Sequence, residues 1–449
     1  MFYENFYNNH LKQDLNADIL IVVEHTVREL DSAIILMKCL NKKGYKVAID
    51  SPKWNINRLP LMYKPHVVFV PWAYTDKELF IWKQFVDKNG QSSNIINLHH
   101  EQITGSASSK FIEPRGSAIN EVYHLSWGSN FTKKLEKICK PNLILPYGNM
   151  RLDYIHKSMR NFGPSKNDLS LAYNLDESKK WILFISNSFH LQKRKEQEFF
   201  EKSGVSILNL AKVGALNTMK FLEFAKKTLT TRNDVIFIYR PHPSMIDREK
   251  KFHELVNLKK EFNESFHVIG ELSAGYWIRS SSHVLTFHST CIAEAAITNS
   301  NFSLIRIQNP KKEDDPKIFN NVNKIANYDD FTSFINYDNA KIDIESLSDY
   351  YYYYYQGDDL ASEKMASFID ELIKGNRKSP LKKNNFYKRC CFYLIFIIKF
   401  FFNYLSFKFS FVKNFLLANS KYRVNNFAYL TGSDAYSLDD INKTKSYFE

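Results

Sequence analysis

The sequence predicts an α/β fold with two successive domains, each built on a parallel sheet. Short runs of aliphatic and β-branched residues alternate with amphipathic stretches along most of the chain, as buried strands alternate with the helices that cover them. The first alternation, Ala17–Ile49, holds a strand, a helix and a strand, and such a βαβ unit requires parallel strands. The pattern fades in the polar stretch Arg151–Asn167 and starts again at Trp181, so we expect a domain boundary between them.

The first half of the chain contains a series of strand-like runs. Ala17–Val23 (ADILIVV) opens it, and the amphipathic helix that follows ends at Gly44, since glycine readily adopts the left-handed angles found after helices. No glycine-rich fingerprint follows the first run, which argues against NAD or FAD at this position. The later runs are Tyr45–Ile49, His66–Pro71, Asn94–Leu98, Glu121–Ser126 and Asn142–Pro146.

The second half repeats the alternation and then changes character. Its strand-like runs are Trp181–Ser186, Val235–Tyr239, Val284–Phe287 and Phe302–Ile307. The six tyrosines of Tyr350–Tyr355 are expected to form an aromatic helix surface that packs across the domains, before a helix that reaches Ile373. We therefore divide the chain into a first domain (1–155), a second domain (156–345), a closing helix (346–375) and a tail (376–449).

The net charge of +13 is concentrated in the tail. Between Lys374 and Arg423 there are 12 basic residues and no acidic one, so the rest of the chain is close to neutral. On a helix, Lys399 and Lys413 share one side with polar residues while phenylalanines cover most of the remainder. This C-terminal amphipathic helical tail is typical of binding to anionic lipid, here through Lys388–Lys421, with a buried oligomer interface as the alternative.

Other classes of protein fit the composition less well. The broad apolar face of the tail argues against nucleic acid, and no charge-free run approaches the ~20 residues that a membrane-spanning helix needs. The five cysteines show neither pairing nor metal-ligand spacing, and we find no secretory leader. We therefore expect a cytoplasmic protein, peripheral on the inner face of a bacterial cytoplasmic membrane.

Polar residues gather where a strand of the second domain ends. Val235–Tyr239 runs into Arg240-Pro241-His242-Pro243, and the prolines fix the backbone that carries Arg240 and His242. Ligands of open α/β sheets bind beyond the carboxyl ends of strands. A guanidinium and an imidazole placed there can offset the charge of a departing phosphate, although a lone histidine can also be structural.

A second polar group follows Val284–Phe287. His288, Ser289 and Thr290 open a predicted helix that contains Glu294. The two hydroxyls can bind a phosphate oxygen at the positive end of that helix, and Glu294 can accept from ribose hydroxyls; plain helix capping is the alternative. With Arg240 and Ser186, these residues make up the predicted donor-binding set, and the two groups together predict a nucleotide-phosphate site.

The first domain offers a candidate general base after Asn94–Leu98, in His99-His100-Glu101-Gln102. A carboxylate beside imidazoles can deprotonate an acceptor hydroxyl, so Glu101 is the predicted catalytic base, with His242 on the opposite side. A metal site is the competing idea, but adjacent histidines point in different directions and no third ligand is evident. The residues expected to orient the acceptor or close the cleft are Glu24, His25, Arg28, Glu29, Asp31 and His100, for which ordinary acids at a helix start are the alternative.

These motifs resemble those of bacterial surface-carbohydrate biosynthesis proteins. The resemblance lies in VVEHTVRELDSAIIL, NLHHEQ, WGSNF, PYGNMRLD, IYRPHP and LTFHSTCIAEA, and it covers roughly residues 17–373. The chain is similar to CDP-glycerol glycerophosphotransferases and to the capsule Kdo and polysialic acid transferases, which carry a His-Pro motif and a downstream Ser/Thr motif.

The resemblance implies a GT-B fold, in which two Rossmann-like domains face each other across a cleft. Residues 1–155 would bind the acceptor and residues 156–345 the nucleotide donor. It further implies inverting transfer without a catalytic metal or other cofactor, with His242, Ser289 and Thr290 holding the nucleotide phosphate. In this pattern Arg151 and Asp153 belong to the turn between the domains.

The sequence thus favours a glycosyltransferase of capsule or lipopolysaccharide synthesis. It would take a nucleotide-sugar donor, CMP- or CDP-linked, and extend a lipid-linked glycan. The alternatives are a glycerol- or ribitol-phosphate transferase, a sugar-nucleotide 2-epimerase and a non-catalytic membrane scaffold subunit.

Overall fold

Two six-stranded sheets, with all neighbouring strands parallel, form the framework of the protein. The computed structural model describes residues 15–52, 56–106, 112–159, 163–187, 207–243, 246–249, 252–337, 340–355, 359–375, 380–381 and 393–394. The first sheet contains β1 (Ile19–Val22), β2 (Val47–Asp50), β3 (Val67–Val70), β4 (Asn94–Asn97), β5 (Tyr123–Leu125) and β6 (Ile144–Leu145). The second contains β7 (Lys180–Ile185), β8 (Val235–Arg240), β9 (Phe266–Val268), β10 (His283–Thr286), β11 (Asn301–Ile305) and β12 (Lys324–Ile325).

Helices connect the strands and cover both sheets. In the first half they are α1 (Thr26–Lys42), α2 (Leu59–Met62), α3 (Asp76–Trp82), α4 (Ala118–Glu121), α5 (Ser129–Glu136) and α6 (Lys166–Tyr173). In the second half they are α7 (Ile207–Leu229), α8 (Ile246–Glu249), α9 (His253–Glu261), α10 (Ala274–Ser280), α11 (Ile292–Ile297), α12 (Tyr328–Asn336), α13 (Ser348–Tyr355) and α14 (Ala361–Ile373). Short 3-10 helices lie at Ile56–Arg58, Pro141–Leu143, Met150–Ile155, Lys157–Met159, Lys317–Phe319 and Ile344–Leu347.

The central strands are the ones that the sequence predicts. β1, β3, β8 and β10 are buried along their whole length, because helices cover both faces of a parallel sheet. The sequence did not predict β9 or β12, which lie at the two edges of the second sheet. Their sequences, FHV and KI, are too short to show a strand pattern.

Each sheet reverses its strand order at one point, and that point locates a crevice. The second sheet is ordered β12-β11-β10-β7-β8-β9, the doubly wound order, with the reversal between β7 and β10. The first is ordered β2-β1-β3-β4-β5-β6, with the reversal between β1 and β3. Ligands of such sheets bind outside the carboxyl ends of the strands at the reversal.

The end of the described chain returns to the first domain. In α14, the N–H groups of Ala361 and Ser362 donate to the carboxylate of Asp153 at 3.2 and 2.8 Å. In α13, Tyr351 is buried and stacks on Trp127 with ring centroids 6.2 Å apart. The backbone of Tyr350 passes so close to Gly128 that a Cβ there would lie 2.3 Å from the carbonyl carbon of Tyr350.

The predicted amphipathic tail helix falls almost wholly on residues that the structure does not describe. Lys388–Lys421 lies outside the described residues, except for residues 393 and 394. Within the described part of the chain, no helix is both long enough and apolar enough to cross a membrane.

Candidate active site

A cavity of about 260 Å³ lies between the carboxyl ends of the two sheets. The second domain lines it with residues that follow β7, β8 and β10, and the first domain with residues that follow β1 and β4. It therefore opens at the strand reversal of the second sheet, where a ligand is expected. The predicted site residues in its lining are Ser186, Arg240, His242, His288, Ser289, Thr290, Glu294, Arg28 and Glu101.

The guanidinium of Arg240 donates hydrogen bonds to the backbone of the protein. Its side chain is buried, and its guanidinium donates to the carbonyl oxygens of Glu271, at 2.8 Å, and of Leu272. Leu272 has a left-handed φ of 62°, which a residue with a side chain rarely adopts, so the arginine helps to fix a strained loop. The sequence predicted a phosphate ligand here; the structure shows a residue that also holds a cavity wall in place.

His242 is held by its backbone and presents its imidazole to the cavity. The backbone N–H of His242 donates to Oε1 of Glu249 at 3.1 Å, and Glu249 is fully buried. Burial raises the pKa of Glu249 to about 7. Burial, reinforced by the charge of Arg28 from the opposite domain, lowers the pKa of His242 to about 4. The imidazole is therefore neutral at pH 7 and offers an N–H donor rather than a cation.

The residues after β10 form the opposite wall. The Oγ of Ser289 accepts from the N–H of Cys291 at 3.3 Å, in the turn that leads into α11. Glu294, in the first turn of that helix, is 7% exposed, and its pKa is raised by burial, against the nearby charge of Arg151. His288 packs against Phe319 with ring centroids 5.2 Å apart, and burial lowers its pKa to about 4.

In the first domain the polar residues are organised around Glu29. One oxygen of its buried carboxylate accepts from Arg28 at 2.9 and 3.0 Å and lies 3.0 Å from Nδ1 of His100. The other oxygen accepts the N–H groups of Glu24 and His25 at 2.7 and 3.3 Å. Although burial opposes ionisation, the charges of His100 and Arg28 hold the pKa of Glu29 well below its usual range. Glu29 is thus an ionised anchor and a poor proton acceptor.

Arg28 extends from this anchor into the cavity. Its Nη1 donates to Oε1 of Glu101 at 2.9 Å, and the Glu101 side chain is 47% exposed. Although burial acts the other way, the carboxylates of Glu29, Glu101 and Glu24 raise the pKa of Arg28 further above its ordinary value. A permanent cation and an accessible carboxylate therefore stand side by side at the cleft.

The four residues of the HHEQ motif point in different directions. His99, at a left-handed φ of 48°, is buried, and its Nε2 lies 2.9 Å from Nδ1 of His124. Gln102 donates to the carbonyl of Leu125 at 2.9 Å. Only His100 and Glu101 turn towards the cleft, so half of this motif supports the domain core.

A second cavity, of about 560 Å³, adjoins the first on the side of the first domain. Arg28 and Glu101 line both cavities and form the partition between them. Glu24, Trp72, Tyr74 and His100 line it from the loops after β1, β3 and β4, and α3 contributes Lys77, Glu78 and Ile81.

Besides Glu29, two predicted acceptor residues, His25 and Asp31, lie outside the lining of both cavities. His25 precedes the first turn of α1, where its carbonyl oxygen accepts from the N–H of Glu29 at 2.9 Å. Asp31 is buried where the domains meet, and its carboxylate accepts from the hydroxyl of Ser273. Burial raises the pKa of Asp31 to about 6. Both residues shape α1 and its contact with the second domain.

The side chains of Glu24, Glu29 and His100 have ligand atoms within 4.8 Å of one another. A metal ion bound there would lie beside the guanidinium of Arg28, which donates to one carboxylate oxygen of Glu29 at 2.9 Å. Two adjacent positive charges would repel each other, so the cluster suits an ion pair better than a metal centre.

Sequence reasoning missed three cavity-related residues. Glu249 supports the backbone of His242, and Asn187 and Tyr154 line the cavity. Asn187 lies two residues after the end of β7, a position that could have identified it. Glu249 lies seven residues beyond the histidine that it supports, and no local spacing indicates that contact.

Comparison with known proteins gave structural similarities only, since no family model and no curated protein matches the chain. It is similar to S. aureus MnaA in a co-structure with UDP, at 12% identity and a TM-score of 0.47, over 80% of this chain and 97% of that one. A UDP-GlcNAc 2-epimerase of Methanocaldococcus jannaschii, solved with UDP-GlcNAc and UDP, is similar at 12% identity and a TM-score of 0.47, over 78% of this chain and 99% of that one. The wall teichoic acid polymerase TagF is similar at 11% identity and a TM-score of 0.47, over 82% of this chain and 92% of that one. With its two Rossmann-like sheets facing across a cleft, the chain has the GT-B fold that the resemblance of its motifs implies.

Proposed function

We propose that this protein is a glycosyltransferase that transfers a sugar from a CMP- or CDP-linked donor to a lipid-linked glycan of capsule or lipopolysaccharide. One observation carries the proposal. The loops after β7, β8 and β10 of one domain, and Arg28 and Glu101 of the other, line a single cavity at a strand reversal. In the proposed reaction, these loops supply phosphate-binding donors on one side of the reacting carbon, and Glu101 supplies a carboxylate on the other.

In the proposed step, the oxygen of an acceptor hydroxyl attacks the anomeric carbon of the donor sugar. The bond from that carbon to the phosphate oxygen breaks, and its electron pair leaves with the nucleotide. Glu101 takes the proton of the hydroxyl, and the configuration at the anomeric carbon inverts. No metal ion or other cofactor takes part in this scheme.

The leaving phosphate is stabilised by hydrogen bonds more than by mobile cations. His242 donates a neutral N–H, and Ser289 and Thr290 donate hydroxyls, while Arg28 adds a fixed positive charge. Donors held in place before the reaction cost little reorganisation as negative charge develops, which is why such sites accelerate transfer. Arg240 contributes by keeping the Glu271–Leu272 loop in position.

The second cavity favours a two-substrate transfer over epimerisation of one nucleotide-sugar. A transferase must hold an acceptor beside the donor, and the 560 Å³ cavity meets the donor cavity at Glu101. A glycerol- or ribitol-phosphate transferase would use the same two cavities. Analysis of the transferred group, sugar or polyol phosphate, separates these two reactions.

The first test is nucleotide binding measured by thermal shift. CMP, CDP, UDP, GDP and their sugars are screened against the wild type, His242→Ala and a matched control, His253→Ala, whose imidazole is exposed on α9. We expect a cytidine nucleotide to raise the Tm of the wild type and the control but not of His242→Ala. Absence of a shift with every nucleotide, or an equal shift in His242→Ala, contradicts the proposal.

We further propose that the tail brings the enzyme to the inner face of the cytoplasmic membrane, because a lipid-linked acceptor is found there. The support is the basic and aromatic pattern of Lys388–Lys421 alone. Replacing Lys399 and Lys413 by Glu should abolish binding to vesicles of phosphatidylglycerol, while replacing them by Arg should not. Equal binding by both variants contradicts membrane attachment through this stripe.

A further inference from the structure

We infer that the 560 Å³ cavity of the first domain is a carbohydrate subsite, in which a pyranose ring of the acceptor lies against the indole of Trp72. The inference rests on the proposed function and gives its acceptor a chemical class and a place. Four features of the cavity support it: its position, its aromatic wall, its hydrogen-bonding groups and its partition with the donor cavity.

The cavity lies at the strand reversal of the first sheet. Glu24 follows β1, Trp72 follows β3 and His100 follows β4, and all three line it. The reversal falls between β1 and β3, where the loops separate and leave a crevice. The first domain thus has a binding position of its own, equivalent to the donor position in the second domain. Its volume lies within the range of about 300–1,000 Å³ usual for small-molecule sites.

One wall of this cavity is aromatic and rigid. The ring of Trp72 lies 5.3 Å from that of Trp82, whose indole N–H donates to the carbonyl oxygen of Trp72 at 2.8 Å. The ring of Tyr74 lies 5.3 Å from the buried imidazole of His99. A fixed, flat apolar surface suits the C–H face of a pyranose, which has few other apolar features to offer.

The polar groups around that wall match hydroxyls. Among the described residues, the indole N–H of Trp72, the hydroxyl of Tyr74 and the ammonium of Lys77 make no hydrogen bond or ion pair, and all three residues line the cavity. Glu78 is already used, because its carboxylate accepts the N–H groups of Tyr74 and Thr75 at 2.7 and 3.0 Å. The site therefore has several donors for ligand oxygens, while Glu101 can accept from a ligand hydroxyl.

The partition gives the bound sugar a direction. Arg28 and Glu101 line both cavities, so a hydroxyl that reaches Glu101 from the Trp72 side also faces the donor cavity. The ring hydroxyl that points to Glu101 is thus the one that attacks. Trp72 and Tyr74 would set which acceptor is used, without contact with the leaving nucleotide.

The test is saturation-transfer NMR with lactose, maltose, N,N′-diacetylchitobiose and the methyl β-glycosides of their sugars as probes. It compares the full-length wild type, Trp72→Ala, Trp72→Phe and Tyr337→Ala, the last removing an exposed aromatic side chain outside both cavities. We expect at least one probe to receive saturation on the protons of one ring face in the wild type. Trp72→Phe and Tyr337→Ala should keep this signal, and Trp72→Ala should weaken affinity about tenfold.

Nucleotide thermal shifts on the same four proteins separate the possible failures. An unchanged cytidine shift in Trp72→Ala shows that the variant is folded and that its donor site is intact. No saturation of any probe, or equal affinity in Trp72→Ala, overturns the carbohydrate subsite even if nucleotides bind. Saturation that depends on Trp72 without any nucleotide shift supports the subsite and rejects the transferase.

Discussion

Arg28 contacts two carboxylates of very different burial, those of Glu29 and Glu101, and this difference predicts how much each pair stabilises the fold. Glu29 is 3% exposed and accepts two hydrogen bonds from Arg28, whereas Glu101 is 47% exposed and accepts one. Glu29→Gln keeps the size of the side chain but removes its charge and turns an amide donor towards groups that are themselves donors. We expect this variant to be much less stable than Glu101→Gln.

The magnitude follows from burial. Breaking a buried ion pair by removing one partner costs about 3–5 kcal/mol. Arg28 is 19% exposed and keeps Glu101, so we expect Glu29→Gln to lose about 3 kcal/mol of unfolding free energy, at the lower end of that range. An exposed pair contributes about 0–1 kcal/mol, so Glu101→Gln should lose less than about 1 kcal/mol of unfolding free energy. If the proposed function is right, the same variant should abolish transfer.

Urea denaturation followed by circular dichroism measures both losses, and pH adds a second readout. The pKa of Glu29 is depressed in the folded protein, so its stabilisation is present above its ordinary value of 4.5 and is lost as the pH falls through the folded-state value. The difference between wild type and Glu29→Gln should therefore shrink as the pH falls below the ordinary value of 4.5. Equal losses for the two variants would refute the reasoning that burial decides the value of each pair.

Three further predictions concern the cleft and the closing helices. The pKa of His242 is about 4 in the free protein, and a bound phosphate should raise this pKa, so phosphate binding should take up a proton and tighten as the pH falls from 7 towards 5. Calorimetry in two buffers should show this proton uptake at pH 6. A wild type that takes up no more protons than His242→Ala contradicts the prediction. Gly128→Ala places a Cβ 2.3 Å from the backbone of Tyr350 and should lower the free energy of unfolding, measured by urea denaturation, by about 1–3 kcal/mol. An unchanged denaturation midpoint means that α13 does not pack against Gly128. Asp153→Ala removes the acceptor for two N–H groups of α14 and should lower the free energy of unfolding by about 1–2 kcal/mol. Amide exchange in Ala361–Ile373 should become faster, and unaltered exchange argues against a capping role of Asp153.

Much of the fold could be predicted because its signals are local. The runs ADILIVV and VIFIY are β-branched and apolar, and they form β1 and β8 almost where expected. The βαβ order made parallel sheets necessary, and parallel strands bring their carboxyl ends to one edge. The sequence therefore indicated that the residues after β8 and β10 face a common space.

The partners of individual side chains were decided by the tertiary structure. Asp31 and Arg28 lie one turn apart on α1, yet Asp31 is buried against Ser273 of the second domain while Arg28 faces the cleft. His99 and His100 are adjacent, yet one packs into the core with His124 and the other meets Glu29.

The sequence by itself thus determined which elements form and at which ends of them the polar residues lie. The tertiary structure decided which of those residues are free to meet a ligand and which are held by the protein, as Arg240 is by two backbone carbonyls. The physical reason is range: periodicity and turn chemistry act within a few residues. Burial and charge pairing depend on groups that are brought together only when the chain folds, as Arg28 and Glu101 are across 73 positions.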